Sequence, residues 1–410
     1  MTVADVVVVG AGPSGLAAAV ALRRVGVRDV VVMEREHEAG GIPRHSAHLG
    51  YGVRDLGRVM TGPSYAQAWV RRAVAAGVDL RTSTTVTDWN EDLQVTATSP
   101  TGRYSIDVSA IVLATGCRER PRAARLVPGT RPAGVMTTGQ LQQLVHLHHR
   151  SPGRRAVIVG AEHVSYSAAL TLAEAGCAVV AMATSEPRHT SFGVFDGSAR
   201  RRWRFPLHTR TTVSDIGGRE RVEWVELTDS AGQARIVPCD TIVFTGDWIA
   251  DHELARRHGV EIDRSSSGPV VDSSLRTTTP GVFAVGNLLH PAETADVCAI
   301  DGRHVAHSVL GTLHGVQWPG DGVPIEVDAP LTWVSPARIT DASMPPRGRF
   351  VLRGSDFVRA PTLQVTQGEQ VLWRGRRPWL VPTRPIYVPA TWLDAVDPAG
   401  AQIRISVAPA

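Results

Sequence analysis

The strongest constraint on the fold is a phrase that occurs twice, as VVVVGAGPSGLAAA at residues 6–19 and AVIVGAEHVSYSAAL at residues 156–170. Each copy has an apolar run, a glycine turn and a helical run, and a second apolar strand follows, so each predicts a βαβ unit. Repetition at this scale predicts two dinucleotide folds in one chain. We therefore expect an α/β protein with two Rossmann-like domains of three-layer ββα type.

In the first copy, the glycines have the spacing of a dinucleotide-binding turn. Gly10 permits the tight turn, Gly12 lets a pyrophosphate approach the backbone, and Gly15 lets the helix pack closely on the strand. The N-terminus of the helix then offers unpaired N–H groups to phosphates, and Glu34 lies where a carboxylate can bind a ribose. The cofactor-binding candidates within this turn are Gly10, Gly12, Pro13, Ser14 and Gly15.

The second copy keeps the first glycine, Gly160, as a further cofactor-binding candidate, but has Glu162 and Ser165 in place of the other two. A glutamate there adds bulk and negative charge where a pyrophosphate should meet the backbone. We expect Ala183 to occupy the place of Glu34, so no ribose carboxylate is predicted. Two interpretations stay open: a weakened NAD(P)H site, or a retained fold that serves packing or a partner.

The remaining pattern predicts the domain organisation. A small antiparallel flap is expected over residues 79–108, helices over residues 64–76 and about 293–314, and a hairpin at residues 222–237. The chain beyond residue 324 is rich in Pro, Arg and Trp, with short strand-like runs separated by turns. We expect a discontinuous FAD-binding domain at 1–120 and 240–322, an NAD(P)-binding-like domain at 121–239, and a β-rich C-terminal domain at 325–410 without a cofactor.

Composition excludes several other classes of function. The formal net charge is +4, all 43 basic residues are arginines, and no dense basic run with interleaved aromatics occurs, so no nucleic-acid partner is expected. Glycines and a proline interrupt the apolar run at residues 6–22, so no membrane span is expected. The four cysteines are far apart without a CxxC pair, which predicts no metal site and favours a reducing cytoplasm.

The chain resembles the two-dinucleotide-domain flavoprotein reductases of the pyridine nucleotide-disulfide reductase type over roughly residues 3–315. The matching phrases are VVGAGPSG with MERE, GG at residues 40–41, IVLATG ending at Gly116, and TTTPGVFAVGN. The resemblance implies that these phrases bind FAD, with Asn287 in place of the family's flavin-side Asp. Besides the residues of the first glycine turn, the resemblance implies these cofactor-binding candidates: Glu34, Arg35, Gly41, Val86, Ala114, Thr115, Gly116, Gly286 and Asn287.

The resemblance also implies that the helix beginning near Glu293 directs its N-terminus at the flavin, where its dipole would stabilise the anionic reduced form. The redox cysteine pair of the family's disulfide reductases is missing from this sequence. The segment from GGIP to GPSYA is similar to subunits of dehydrogenase complexes for amino acids, opines or glycerol phosphate. His48 and His45, which follow the GG loop, are candidate acid or base groups, or residues that cap loops or contact FAD phosphates.

Together these features predict an FAD-dependent oxidoreductase that passes hydride or electrons through its flavin. Our leading hypothesis is a subunit of a dehydrogenase complex for a small amine or hydroxy acid, with a partner flavoprotein or electron-transfer subunit. The Trp and Arg residues of the C-terminal domain would then dock that partner. Two alternatives are a stand-alone NAD(P)H-dependent reductase of a small electron carrier and a flavin-binding structural subunit without turnover.

Overall fold

The computed structural model describes residues 2–291 and 293–408. It divides into two compact units. The first unit comprises Met1–Arg44, Leu49–Cys117 and Ala250–Ala410, and the second comprises His45–His48 and Arg118–Ile249. Both units are built on a mainly parallel sheet, so the expected α/β fold class is confirmed.

The first unit begins with the first copy of the repeated phrase. Strands β1, β2 and β5 and the C-terminal half of β8 form a parallel sheet, which β7 and β6 extend as an antiparallel flap. The N-terminal elements are β1 (Thr2–Val9), α1 (Pro13–Arg24), β2 (Val30–Met33), a 3-10 helix (Ile42–His45), β3 (Leu49–Tyr51), β4 (Met60–Thr61), α2 (Gly62–Ala75), β5 (Asp79–Arg81), β6 (Thr85–Trp89), β7 (Gln94–Ser99) and β8 (Gly102–Leu113).

The flap differs from the expectation at its first strand. The run from Asp79 to Trp89 is two strands, because Ser83 has a positive φ of 49° and turns the chain between β5 and β6. As a result β5 joins the parallel sheet beside β2, and β6 pairs with β7 in the flap.

The second unit repeats the arrangement around a parallel sheet of order β10-β17-β11-β12-β13. An antiparallel sheet of order β14-β15-β16 accompanies it. From the junction with the first unit onward, the elements are β9 (Cys117–Glu119), a 3-10 helix (Arg122–Arg125), β10 (Val135–Thr137), α3 (Thr138–Gln142), a π-helical turn (Gln143–Leu147), β11 (Arg155–Val159), α4 (His163–Glu174), β12 (Ala178–Ala183), α5 (Gly193–Trp203), β13 (Leu207–His208), β14 (Thr211–Gly217), β15 (Trp224–Asp229), β16 (Ala234–Pro238), β17 (Thr241–Phe244) and β18 (Trp248–Ala250).

Successive side chains of the central strands pack in two different cores, and this gives the second unit its three layers. Ile158 packs in one core with helix residues such as Leu172, whereas its neighbour Val157 packs in the other core with Val225 of the antiparallel sheet. Successive strand side chains point to opposite faces, so one face carries helices and the other carries strands. This is the expected ββα arrangement.

The chain then returns to the first unit, where β19 pairs with β8 and completes the parallel sheet. Beyond the last helix, β-strands enclose a separate core that contains the stacked rings of Phe350 and Trp392. The elements are α6 (Glu253–Arg257), β19 (Val282–Ala284), a 3-10 turn (Gly286–Leu288), α7 (Ala295–Leu313), β20 (Val323–Val327), β21 (Leu331–Ser335), β22 (Arg338–Ile339), a 3-10 turn (Pro346–Gly348), β23 (Arg349–Gly354), β24 (Val358–Arg359), β25 (Thr362–Gln367), β26 (Gln370–Arg376), β27 (Trp379–Leu380), β28 (Ile386–Pro389), a 3-10 turn (Leu393–Ala395) and β29 (Ile403–Val407).

We call residues 323–408 the C-terminal domain. Its main sheet has the order β22-β20-β29-β25-β26, and a second sheet has the order β21-β23-β28. The expected β-rich character of this segment is therefore confirmed. Among the helices within residues 2–291 and 293–408, none combines the length and apolar character needed to cross a bilayer.

Candidate functional site

The first glycine turn leaves a cradle open above the N-terminus of α1. A Cβ on Gly15 would lie 1.9 Å from the carbonyl oxygen of Gly10, and a Cβ on Gly10 would lie 2.6 Å from that of Ala114. A Cβ on Gly12, by contrast, would meet no described heavy atom within 4 Å. Gly10 and Gly15 are thus required by internal packing, whereas the space beside Gly12 is available to a ligand.

The start of α1 is shaped for an anionic group. Gly12 is the N-cap, and Pro13, the first helical residue, has no N–H to leave unpaired. Ser14 is buried, with 5% exposure. The next backbone N–H groups and the positive end of the helix dipole face the turn, an arrangement suited to a phosphate.

Glu34 closes the other side of the cradle. Its Oε2 accepts a hydrogen bond of 2.8 Å from the backbone N–H of Ala11, and its Oε1 accepts one of 2.9 Å from that of Glu36. Each oxygen keeps a second lone pair that can accept from a ribose hydroxyl. Arg35 lies next to it, mostly exposed, and pairs with Asp251 at 3.4 Å.

Two further loops pack on this turn. Gly41 has a φ of 64°, and a Cβ there would lie 2.9 Å from the Cα of Gly12. A Cβ on Gly286 would lie 2.6 Å from Oγ of Ser14. The structure therefore brings the GG loop and the TTTPGVFAVGN phrase to the same turn, although they are far apart in sequence.

The IVLATG phrase also reaches the turn. Ala114 follows β8, and its N–H donates to the carbonyl of Val9 at 2.9 Å. The hydroxyl of Thr115 donates to the carbonyl of Asp251 at 2.8 Å, and Gly116 follows with a φ of 76°. Val86 instead lies in β6, which β8 and β7 separate from β1 in the sheet.

Asn287 has a defined partner within its own loop. Its Nδ2 donates to the carbonyl of Glu293 at 3.0 Å, and its Oδ1 accepts from the N–H of Glu293 at 2.9 Å. An Asp could not donate the first of these bonds, because an ionised carboxylate only accepts. The amide therefore suits the loop geometry of this chain.

The helix expected near Glu293 begins at Ala295, with Thr294 as its N-cap. Its first turn holds the buried carboxylate of Asp296, which accepts from the backbone N–H of Arg54 and of Val297 at 3.1 Å each. This negative charge partly compensates the positive end of the dipole, which weakens the dipole effect that the resemblance implied.

The histidine candidates belong to a different unit from the turn. His45 is buried, with 5% exposure, and His48 is half-buried. Contacts group residues 45–48 with the second unit. A role for these two histidines as acid or base stays a prediction.

Three hydrogen bonds of the first glycine turn recur in the second. In each matched pair, the residue numbers of donor and acceptor differ by 150 between the two copies. Gly10 N–H donates to Met33 O in the first turn, as Gly160 N–H does to Ala183 O in the second, at 2.8 Å each. Gly40 N–H donates to Ala11 O at 2.8 Å, as Thr190 N–H does to Ala161 O at 3.0 Å. Glu36 N–H donates to Glu34 Oε1 at 2.9 Å, as Glu186 N–H does to Thr184 Oγ1 at 3.2 Å.

This correspondence corrects one expectation. The counterpart of Glu34 is Thr184, not Ala183, which matches Met33 instead. Both strands end as the sequence predicted, at Met33 and at Ala183, so the residue that follows the second strand, Thr184, is the one that matches Glu34. Because Thr184 has only a short hydroxyl, the second turn still has no carboxylate at the ribose position.

Glu162 supplies the missing carboxylate from within the turn itself. Its Oε2 accepts from the N–H of Ala161 at 2.9 Å, and Thr245 Oγ1 lies 2.5 Å from its Oε1. A Cβ added to Gly160 or Gly246 would lie within 3 Å of this carboxylate. The side chain thus covers the part of the turn that remains open beside Gly12 in the first copy.

A second carboxylate lies beside this one. Glu119 is buried and accepts from the N–H of Gly139 at 2.9 Å and from that of Gly246 at 3.2 Å. Burial raises the pKa of Glu119, and the negative charge of Glu162 adds to the effect. Arg125 donates to the carbonyls of Thr245 and Gly246 at 2.9 and 2.8 Å. The second turn therefore holds two carboxyl groups and one guanidinium close together.

Three of the four cysteines are buried, and the fourth, Cys117, is half-buried. Cys177, Cys239 and Cys298 are buried thiols, and burial raises the pKa of Cys239 to about 12 and that of Cys177 to about 11. Within residues 2–291 and 293–408, no group of three or more His, Cys, Asp or Glu side chains is arranged to hold a metal ion.

Comparison with known proteins identifies the family. A family model described as "Pyridine nucleotide-disulphide oxidoreductase" matches residues 4–307, so the C-terminal domain lies outside the match. The A subunit of opine oxidase from Agrobacterium tumefaciens (strain Ach5) is 25% identical over 346 residues, covering 75% of this chain and 66% of that protein. The chain thus spans slightly less than two thirds of that relative.

Thioredoxin reductase of Treponema pallidum (strain Nichols) is 24% identical over 321 residues, covering 76% of this chain and 98% of that protein. In fold, the chain resembles T. acidophilum thioredoxin reductase, with a TM-score of 0.63 and 21% identity over 75% of this chain and 98% of that one. The open first turn fits FAD, the cofactor of this family. The chain belongs to the pyridine nucleotide-disulphide oxidoreductase family and is an FAD-dependent oxidoreductase.

Proposed function

We propose that this oxidoreductase is a subunit of a dehydrogenase complex for a small amine or hydroxy acid. Electrons reach its flavin from that substrate or from a partner flavoprotein, and NAD(P)H is not the direct donor. Bound FAD would supply hydride acceptance and onward electron transfer. The similarity to the A subunit of opine oxidase, which its name describes as one component of a larger enzyme, supports this assignment.

The observation that carries the proposal is the carboxylate of Glu162 on the N–H of Ala161. Glu162 stands at the position that Gly12 has in the first turn, so a nicotinamide dinucleotide would meet both the bulk of this side chain and its charge. Two unit charges 4 Å apart repel by about 4 kcal/mol at an effective dielectric constant of about 20. A repulsion of that size would weaken binding by about three orders of magnitude.

In the first unit, the proposed FAD site uses groups with separate tasks. The N-terminus of α1 would bind the pyrophosphate beside Gly12, and Glu34 would bind the adenosine ribose. Gly41 and Gly286 would allow their loops to approach the same turn. The remaining members of the proposed site are Gly10, Pro13, Ser14, Gly15, Arg35, Val86, Ala114, Thr115, Gly116 and Asn287.

Anaerobic rapid mixing of the FAD-loaded protein with NADH and with NADPH tests the electron source. The expected result is that the oxidised flavin absorbance stays unchanged over seconds with either nucleotide. A parallel series with amines and hydroxy acids, with and without co-purified partner subunits, is expected to reveal a donor that bleaches the flavin. Rapid bleaching by either nucleotide alone would overturn the proposal in favour of a stand-alone NAD(P)H-dependent reductase.

A further inference from the structure

We infer that the C-terminal domain completes the FAD site, with Arg353 as a positioning residue that acts through Glu293 on the loop carrying Asn287. The family match ends at residue 307, so this role belongs to the part of the chain outside it. The link runs from β23 through an ion pair to the segment before α7, and from there to the first glycine turn.

Glu293 is held by the C-terminal domain at its carboxylate. Arg353 Nη2 donates to Oε1 at 3.0 Å, and the hydroxyl of Tyr387 donates to Oε2 at 3.3 Å. The side chains of Glu293 and Arg353 are only 2% and 7% exposed. A buried ion pair of this kind fixes geometry strongly, because loss of one partner leaves an uncompensated charge in a medium of low polarity.

The backbone of Glu293 is held in turn by Asn287, through the paired amide bonds of 3.0 and 2.9 Å. Asn287 follows Gly286, whose missing side chain lets the backbone approach Ser14 at the start of α1. A displacement of Glu293 would therefore move the segment that contacts the phosphate turn. Through these contacts Arg353 would affect FAD binding without contacting FAD itself.

A second buried contact secures the same segment. His290 Nε2 lies 2.5 Å from Oδ2 of Asp301 in α7, and Arg347 Nε of the C-terminal domain lies 3.8 Å from Oδ1 of Asp301. Arg353 Nη2 also donates to the carbonyl of Pro291 at 3.4 Å. Two arginines of the C-terminal domain, Arg347 and Arg353, thus contact carboxylates and a carbonyl of the loop before α7 and of α7 itself.

The test compares FAD binding by Arg353→Met, Arg353→Lys, Tyr387→Phe and the double variant Arg353→Met/Glu293→Gln. Arg374→Met is the matched control, since Arg374 is an exposed arginine of β26 in the same domain. The readouts are the FAD dissociation constant, from fluorescence titration of the apoprotein, and the rise in melting temperature on FAD addition.

Arg353→Met is expected to raise the FAD dissociation constant by about tenfold or more, because it strands the buried charge of Glu293. Arg353→Lys is expected to bind FAD more tightly than Arg353→Met, and the double variant to recover affinity because the stranded charge is gone. Tyr387→Phe keeps the ion pair and replaces Arg353→Met as the test if that variant does not fold. We expect Tyr387→Phe to raise the FAD dissociation constant threefold or more.

A purely structural role gives a different pattern. In that case the variants lower the melting temperature of the apoprotein, but the FAD dissociation constant and the FAD-induced rise in melting temperature stay at wild-type values. That result would overturn the inference. So would a double variant that loses affinity additively, or an Arg374→Met control that loses as much as Arg353→Met.

Discussion

The carboxylate of Glu162 accepts a hydrogen bond from the N–H of Ala161 at 2.9 Å, and the matching N–H in the first turn, that of Ala11, donates to Glu34 at 2.8 Å. The same backbone donor is satisfied in both copies, but the carboxylate reaches it from different places. Glu34 comes from the end of a strand and leaves the cradle open. Glu162 comes from the turn and covers it.

This difference predicts that Gly12 and Gly15 respond differently to the same substitution. Gly12→Ala places its methyl group in open space at an ordinary φ of −77°, so the apoprotein should keep its melting temperature. FAD affinity should fall by about tenfold or more, because the methyl group occupies the approach of the pyrophosphate. Fluorescence titration and thermal unfolding measure the two effects.

Gly15→Ala supplies the matched comparison. Its Cβ would lie 1.9 Å from the carbonyl oxygen of Gly10, so the helix must move and the apoprotein should be destabilised. Equal loss of stability in both variants would contradict the assignment of the open cradle to a ligand.

Glu34→Ala should weaken FAD binding and leave the fold intact. The change removes the group proposed to bind the ribose, which weakens FAD binding. It also leaves the buried N–H of Ala11 without its acceptor, which lowers the free energy of unfolding by about 1 to 3 kcal/mol in a protein that still folds. Equilibrium titration with FAD should show a dissociation constant about ten times larger or more. Glu36→Ala is the control, because only the backbone of the exposed Glu36 takes part in this contact. An unchanged FAD dissociation constant in Glu34→Ala would remove Glu34 from the site.

Asp240 predicts a pH dependence of stability in the second unit. Burial raises the pKa of its carboxyl, but hydrogen bonds from the backbone N–H of Arg155 and of Arg154, with the hydroxyl of Thr241, outweigh this and lower it. A folded-state pKa below the unfolded value stabilises the fold above the unfolded pKa, and this contribution is lost as the pH falls through the folded pKa.

Asp240→Asn should therefore lower the free energy of unfolding at pH 7 by about 0.5 to 1 kcal/mol, because solvent screens this partly exposed carboxyl. The difference from wild type should shrink below about pH 4, where the wild-type carboxyl takes up its proton. Denaturant unfolding across pH 3 to 7 measures the effect, with Glu220→Gln as an exposed control. A difference that is constant over this range would contradict the pKa assignment.

Local patterns in the sequence were enough to predict much of the fold. The glycine spacing and apolar periodicity predicted both βαβ units, and alternation predicted strands of the C-terminal domain such as Thr362–Gln367. Helix α5, Gly193–Trp203, was not predicted, because its two glycines and arginine run give no clear apolar stripe.

The geometry of both candidate sites depends on partners remote in sequence. Glu162 meets Thr245, 83 residues away, and Arg353 meets Glu293, 60 residues away. The sequence showed that Glu162 adds charge to the turn, but only the tertiary structure shows where its carboxylate lies. For the same reason the C-terminal domain was predicted as a docking surface, with no indication of its buried ion pair to the segment before α7.

Removal of Glu162 should restore a nucleotide cradle in the second turn. Glu162→Gly removes both the bulk and the charge, whereas Glu162→Gln keeps the bulk and removes only the charge. NADPH and NADH affinity should therefore increase in the order wild type, Glu162→Gln, Glu162→Gly. Glu220→Gln, an exposed change in the same unit, should behave as wild type.

The most direct measurement is calorimetric titration of these four proteins with NADH and NADPH. We expect no saturable binding to the wild type, and a dissociation constant for Glu162→Gly at least about tenfold lower than the wild-type limit. Saturable wild-type binding that Glu162→Gly leaves unchanged would contradict this expectation, because the carboxylate over the second turn would then be no obstacle to the nucleotide.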